Sequence, residues 1–284
     1  PASSIRTSTP DPTAAALAKA AGPRTDQLGT KEEVLMTTYH HFVTLQLEDG
    51  SMPMYVATPE GATEKHPVAF VIHGHGGVTP SDFAACDRFA EEGFVGVAPD
   101  LFYWGQKCFS ANELDSRRNQ LSDPSVIRAI TSANAYFQRQ SYVQPGKYGI
   151  IGFCMCGRVA FLMATGDPDN CGAAASHYGG GIMRGEGGPA PSSRFKEVRA
   201  SLQVFHGDKD FHPPLDEILE LDRVLSASGI PYELHRYTGF GHGYMGRKNA
   251  ASEDAWPKML AAFRMNIGIP TGQTCVRQMA SSIT

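Results

Sequence analysis

The chain has 284 residues and a formal charge of −4, with no shift of composition through its middle, so one large core is expected rather than two. Its charges are scattered, and without a basic stripe to displace phosphate counterions nucleic acid is excluded as an expected partner. No apolar run approaches the about 18 residues of a membrane span, so no membrane association is expected.

Residues 1–38 are rich in Ala, Thr, Pro and Ser and read as an extension, with one short helical stretch at 13–21. They hold no long apolar h-region of the kind an intact secretory signal carries. The folded domain is expected over 39–270, followed by a polar tail at 271–284.

Within the domain, Phe42-Val-Thr-Leu-Gln-Leu alternates with a period of two and ends at a Gly-containing turn, so it forms a hairpin with Met52 to Ala57. His66 to His73 is a continuous apolar run, as expected of a strand covered on both faces, and Gly-rich Gly74-His-Gly-Gly follows it. A helix over 83–93 and a buried strand at 94–99 come next. The alternation then runs through a helix at 124–139, a strand at 148–152, a helix at 158–165, and strands at 172–178 and 201–206. It closes with a helix at 215–228, a strand at 232–237 and a helix at 252–267. Such alternation implies an α/β fold with a mostly parallel central sheet and helices on both faces. A ligand site is expected beyond the carboxyl ends of the strands.

The pattern Gly152-Phe-Cys-Met-Cys156 stands where a strand gives way to a helix. Small residues around a central nucleophile mark the strained turn that lifts a reactive side chain above a sheet. The centre here is Cys154, with Cys156 as the small residue two positions on. A thiol reacts as thiolate, and both the positive end of the following helix and a nearby histidine favour that form. His242, in Gly239-Phe-Gly-His-Gly-Tyr, follows the last strand, so nucleophile, acid and histidine occur in the chain order of the α/β-hydrolase fold. The acid is Asp208 or Asp210, both just after a strand; position favours Asp210, with Asp208 capping the turn. The backbone N–H groups of His75 and Met155 are the candidate oxyanion hole.

His73 and His75 are two apart, but no carboxylate or cysteine stands at ligand spacing, so no metal is expected, and no cofactor. The six cysteines, at 86, 108, 154, 156, 171 and 275, lack paired zinc spacing and are too sparse for a disulfide scaffold. A reducing compartment, the cytoplasm, is the default location, with the periplasm or secretion as the alternative. The run Phe102-Tyr-Trp104 offers an aromatic wall beside the site, and Asp115-Ser-Arg-Arg-Asn119 reads as a solvated lid surface.

Over roughly residues 40–268 the chain resembles the dienelactone hydrolase family. The resemblance is carried by Gly152-Phe-Cys-Met-Cys-Gly, Ala98-Pro-Asp-Leu-Phe, Ser176-His-Tyr-Gly-Gly, His206-Gly-Asp-Lys-Asp and Gly241-His-Gly-Tyr. It implies the α/β-hydrolase fold and a Cys-His-Asp triad falling on Cys154, His242 and Asp210. It also implies a glutamate after the third strand, where this chain has Gly74. Two arginines would hold a substrate carboxylate; the first position falls near Trp104 and the second is met approximately by Arg247. Trp104, Tyr103 and Arg247 are therefore the expected substrate-binding residues. The expected reaction is hydrolysis of a small-molecule ester or lactone through an acyl-thioester, by a monomer or small homo-oligomer. The alternative is a non-hydrolytic ligand-binding or redox-sensing thiol protein on the same fold. Carbon–halogen hydrolysis on this scaffold begins with a carboxylate, and the cysteine argues against it.

Overall fold

The structure, a computed structural model, describes residues 6–7, 38–61, 64–103, 121–185 and 187–268. The expected helix at 13–21, Trp104, the 115–119 surface and the tail from 271 lie outside the described residues. The strands are β1 (Arg6–Thr7), β2 (Thr38–Leu47), β3 (Gly50–Pro59), β4 (Val68–Ile72), β5 (Val95–Pro99), β6 (Tyr148–Phe153), β7 (Cys171–His177), β8 (Ser201–Gly207) and β9 (Tyr232–Tyr237). They form one sheet in the order β1-β2-β3-β5-β4-β6-β7-β8-β9. From β5 to β9 all neighbours are parallel, whereas β1, β2 and β3 add as antiparallel neighbours at one edge.

The helices are α1 (Pro80–Glu91), α2 (Asp123–Phe137), α3 (Gly157–Gly166), α4 (Leu215–Ser228) and α5 (Ala250–Ile267). The period-two pleat explains the two cores that result. On β4, Val68, Phe70 and Ile72 point to a core shared with α2, α3 and α4, while Ala69 and Val71 point to one shared with α1 and α5. Strands buried on both faces read as unbroken apolar runs, and β4, β5 and β7 have no exposed residue.

α1 starts where Asp82 Oδ2 accepts hydrogen bonds from Thr79 N at 2.8 Å and Thr79 Oγ1 at 2.7 Å. α5 starts where Asn249 Oδ1 accepts from Ser252 N at 2.9 Å. These two capped helices flank the end of the sheet where the loops after β4, β6 and β9 meet.

One buried ion pair fixes the segment after β7. Arg158 on α3, 5 % exposed, donates to Asp123 Oδ1 at 2.6 Å and Oδ2 at 3.0 Å, and to the carbonyls of Gly181 and Pro189. Asp123→Ala leaves that guanidinium buried without a counter-charge, so a loss of about 3–5 kcal/mol is expected in urea denaturation. A loss below about 1 kcal/mol would show that the segment is held by other contacts.

Candidate active site

β6 ends at Phe153, and the chain turns through a 3₁₀ segment, Cys154–Cys156, into α3. Cys154 has φ 55°, a left-handed conformation that a side chain adopts at a cost of order 1–3 kcal/mol. The strained turn is held by close backbone crossings. A Cβ on Gly152 would lie 1.8 Å from the Cys156 carbonyl oxygen, and one on Gly157 would lie 2.5 Å from Gly179 Cα. The second strictly small position of the elbow is thus Gly157, one residue beyond where the sequence pattern puts it. Its partner Gly179 explains the Gly in Ser176-His-Tyr-Gly-Gly.

The two elbow thiols go to opposite faces of the sheet. Cys154 is partly buried against the α1–α5 core, whereas Cys156 is fully buried in the core beneath α2, α3 and α4. Burial pushes the Cys156 thiol well up, so it stays protonated and inert.

His242 and Asp210 arrive from loops after β9 and β8. His242 Nδ1 donates to Asp210 Oδ2 at 2.8 Å, and Asp210 Oδ1 accepts from the N–H of His212 at 2.8 Å. The Asp210 side chain is fully shielded and that of His242 is 30 % exposed. With Nδ1 held by the carboxylate, the other ring nitrogen is left for Cys154, with which the imidazole shares a hydrogen bond. Asp208 does something else: its Oδ1 accepts from the N–H of Gly239 at 2.7 Å, tying the β8 and β9 loops together.

Burial pushes the Cys154 thiol up, but the hydrogen bond and charge of His242, together with the N–H groups of Met155 and His75, outweigh it, and the net shift is downward. The same hydrogen bond from Cys154 leads the rise of His242 to about 9; burial opposes it, and the charge of Cys154 and the contact with Asp210 add to it. His75 and Met155 therefore present backbone N–H groups at the thiol, which is where an oxyanion formed by thiol attack would develop.

His73 has a structural part. Its Nδ1 donates to the Gly74 carbonyl at 2.7 Å and its Nε2 accepts from the Leu101 N–H at 3.1 Å, which fixes the glycine loop to the turn after β5. Both ring nitrogens are engaged. Among the described residues no group of three or more His, Cys, Asp and Glu side chains could hold a metal.

A cleft of about 1050 Å³ opens from the thiol and runs between α1 and α5. Gly74, His75, Cys154, Tyr178 and His242 line its inner end, and Arg88, Arg247 and Trp256 line it further out. Arg247 is thus in the cleft, as expected. Tyr103 is not among its lining residues: its hydroxyl donates to Asp49 at 2.7 Å and its ring packs on the α2-side core. The physical reason is the turn after β5, which buries Phe102 against the His73 ring at 4.9 Å and sends Tyr103 toward the β2–β3 turn. Trp104 lies outside the described residues.

The sequence assigns no role to two of the lining residues. Tyr178, with φ 43°, sets its ring edge-to-face on His242 at 4.8 Å and so limits where the imidazole can swing. Arg88 lies 4.5 Å above the Trp256 ring, a pair made across α1 and α5 that no local spacing reveals.

A family model described as "Dienelactone hydrolase family" matches residues 52–266. A Synechocystis protein provisionally named a carboxymethylenebutenolidase is 26 % identical over 239 residues, covering 79 % of this chain and 96 % of its own. Among solved structures, a provisionally named dienelactone hydrolase from Klebsiella pneumoniae superposes with a TM-score of 0.74 at 22 % identity, covering 80 % of this chain and 98 % of its own. A dienelactone hydrolase-like promiscuous phosphotriesterase from metagenomic libraries superposes at 0.70 with 18 % identity, covering 81 % and 99 %. At these identities the structures establish a shared fold, and the family match establishes descent: the chain belongs to the dienelactone hydrolase family and has its α/β-hydrolase fold.

Proposed function

We propose that the protein hydrolyses small-molecule esters or lactones with Cys154 as nucleophile, His242 as acid and base, and Asp210 as the group that orients it. Family membership supports the reaction class, a hydrolase of the ester and lactone kind. The observation that carries the residue roles is one continuous arrangement, in which Asp210 holds His242 at 2.8 Å, His242 bonds Cys154, and two backbone N–H groups address the same sulfur.

The Cys154 thiolate attacks the carbonyl carbon, and the carbonyl π electrons move to oxygen between the N–H groups of His75 and Met155. The C–O bond to the leaving group breaks as His242 gives it a proton, leaving an acyl-thioester. Water then attacks that thioester while His242 takes its proton, the C–S bond breaks, and carboxylic acid and thiol are restored. A rapid burst of aryl alcohol, about one per active site, is expected when an activated aryl ester is mixed with the enzyme. A linear time course under rate-limiting deacylation conditions would speak against the covalent intermediate.

Activation of the thiol rests on His242, the two N–H groups and the start of α3, and Gly74 puts no negative charge beside it. A Cβ there would sit 3.7 Å from Cys154 Cβ and 3.9 Å from the Phe153 carbonyl oxygen, ordinary contact distances without a clash. Gly74→Glu is therefore expected to fold, to place a negative charge beside the thiol and to raise its pKa. Alkylation by iodoacetamide at pH 7 should slow by roughly 3–10-fold, about one pKa unit or less. An unchanged rate would mean that His242 alone sets the thiolate fraction.

A further inference from the structure

The outer end of the cleft is more than a continuation of the inner one. Arg88 stands on α1 nine positions after Thr79, which begins that helix next to the glycine loop, so it lies roughly 13 Å further along the helix axis. Its guanidinium rests on the Trp256 indole at 4.5 Å. Trp256 is itself 3 % exposed and packed against Phe89 at 5.0 Å, so it is a fixed platform for a guanidinium that lines the cleft.

Among the described residues no carboxylate forms an ion pair with Arg88. The two acids lining the cleft are committed elsewhere, Asp82 to Thr79 and Glu253 to Lys248 at 3.5 Å. Burial lowers the Arg88 guanidinium while Glu92, Glu91 and Glu253 pull the other way from a distance, so its charge is only partly hydrated. Between this charge and the thiol the walls include Ala84, Ala85 and Met245.

We propose that Arg88, stacked on Trp256, is a remote anion subsite, and that the substrates are esters carrying a carboxylate at the far end of an extended apolar chain. This rests on the reading of Cys154 as the nucleophile. It differs from a carboxylate clamp beside the thiol, because Arg88 stands about two and a half turns along α1 from the glycine loop. The acid must then be set apart from the scissile carbonyl by an apolar segment, whose length the series of chains below measures.

The test compares kcat/KM for aryl esters of ω-carboxy acids with that for neutral acyl chains of equal length, from four to twelve carbons. A second arm uses acetate esters of ω-hydroxy acids, which put the carboxylate on the alcohol side. The expected result is a preference for the acid of tenfold or more, confined to the long chains and present in at least one arm. Arg88→Gln should reduce that preference to near one through KM, and Arg88→Lys should restore part of it. No preference in either arm, or one that survives Arg88→Gln, overturns the proposal. Binding to Cys154→Ala protein is read separately by calorimetry, using the monoamide of a ten-carbon dicarboxylic acid against decanamide. Tighter binding of the acid supports the subsite and equal binding overturns it, even if every ester proves inert and the hydrolase reading fails instead.

Discussion

Cys154→Ala is expected to lower kcat/KM toward an activated aryl ester by about 10⁴-fold or more and to abolish the burst. The substitution keeps a Cβ in the same left-handed backbone, so the elbow loses its sulfur without gaining strain, and the thermal midpoint should move little. Among the described residues no second thiol shares the site. Cys156, two residues on, faces the opposite core with its thiol pushed up by burial. What remains is the pair of N–H groups and the binding cleft, which account for a modest residual rate over water. Stopped-flow and steady-state assays on the same preparation check this, with a melting curve as the control for folding.

His242→Gln is the second large effect, expected at about 10³-fold, because it removes both the proton carrier and the group that draws the thiol pKa down. The pH dependence gives a sharper readout. Activity of the unaltered protein should rise as pH passes the lowered Cys154 value, since thiolate accumulates. It should fall as pH passes about 9, where His242 loses the proton that the leaving group needs. The two limbs belong to the coupled pair and not to either residue alone. In His242→Gln the acid limb should move to higher pH, because burial is then opposed only by the N–H groups of Met155 and His75, and the limb near 9 should vanish. A bell of unchanged shape in the variant would assign the titration to other groups.

The fold was legible in the sequence because strands buried on both sides leave long apolar runs and the helices between them are amphipathic. Residues 66–73 and 172–178 read as strands for that reason, and the observed strands are Val68–Ile72 and Cys171–His177. The positions of Cys154, Asp210 and His242 were legible because a strand-to-helix turn and two loops at strand ends need small residues around them. The exact small residue was less so: Gly157 is required by its contact with Gly179, in the loop after β7. Tyr103 was misplaced because an aromatic beside a site in the chain can turn away from it, here toward Asp49. Tyr178 and Arg88 were missed for the same physical reason, since their importance lies in contacts across elements, with His242 and Trp256.

The most direct test of Cys154 as the nucleophile is rapid acid quench of the enzyme during turnover of an aryl ester, followed by mass spectrometry of its peptides. The expected result is the acyl group on the peptide containing Cys154, absent in Cys154→Ala and long-lived in His242→Gln. An acyl group on any other residue, or undiminished turnover by Cys154→Ala, would contradict it.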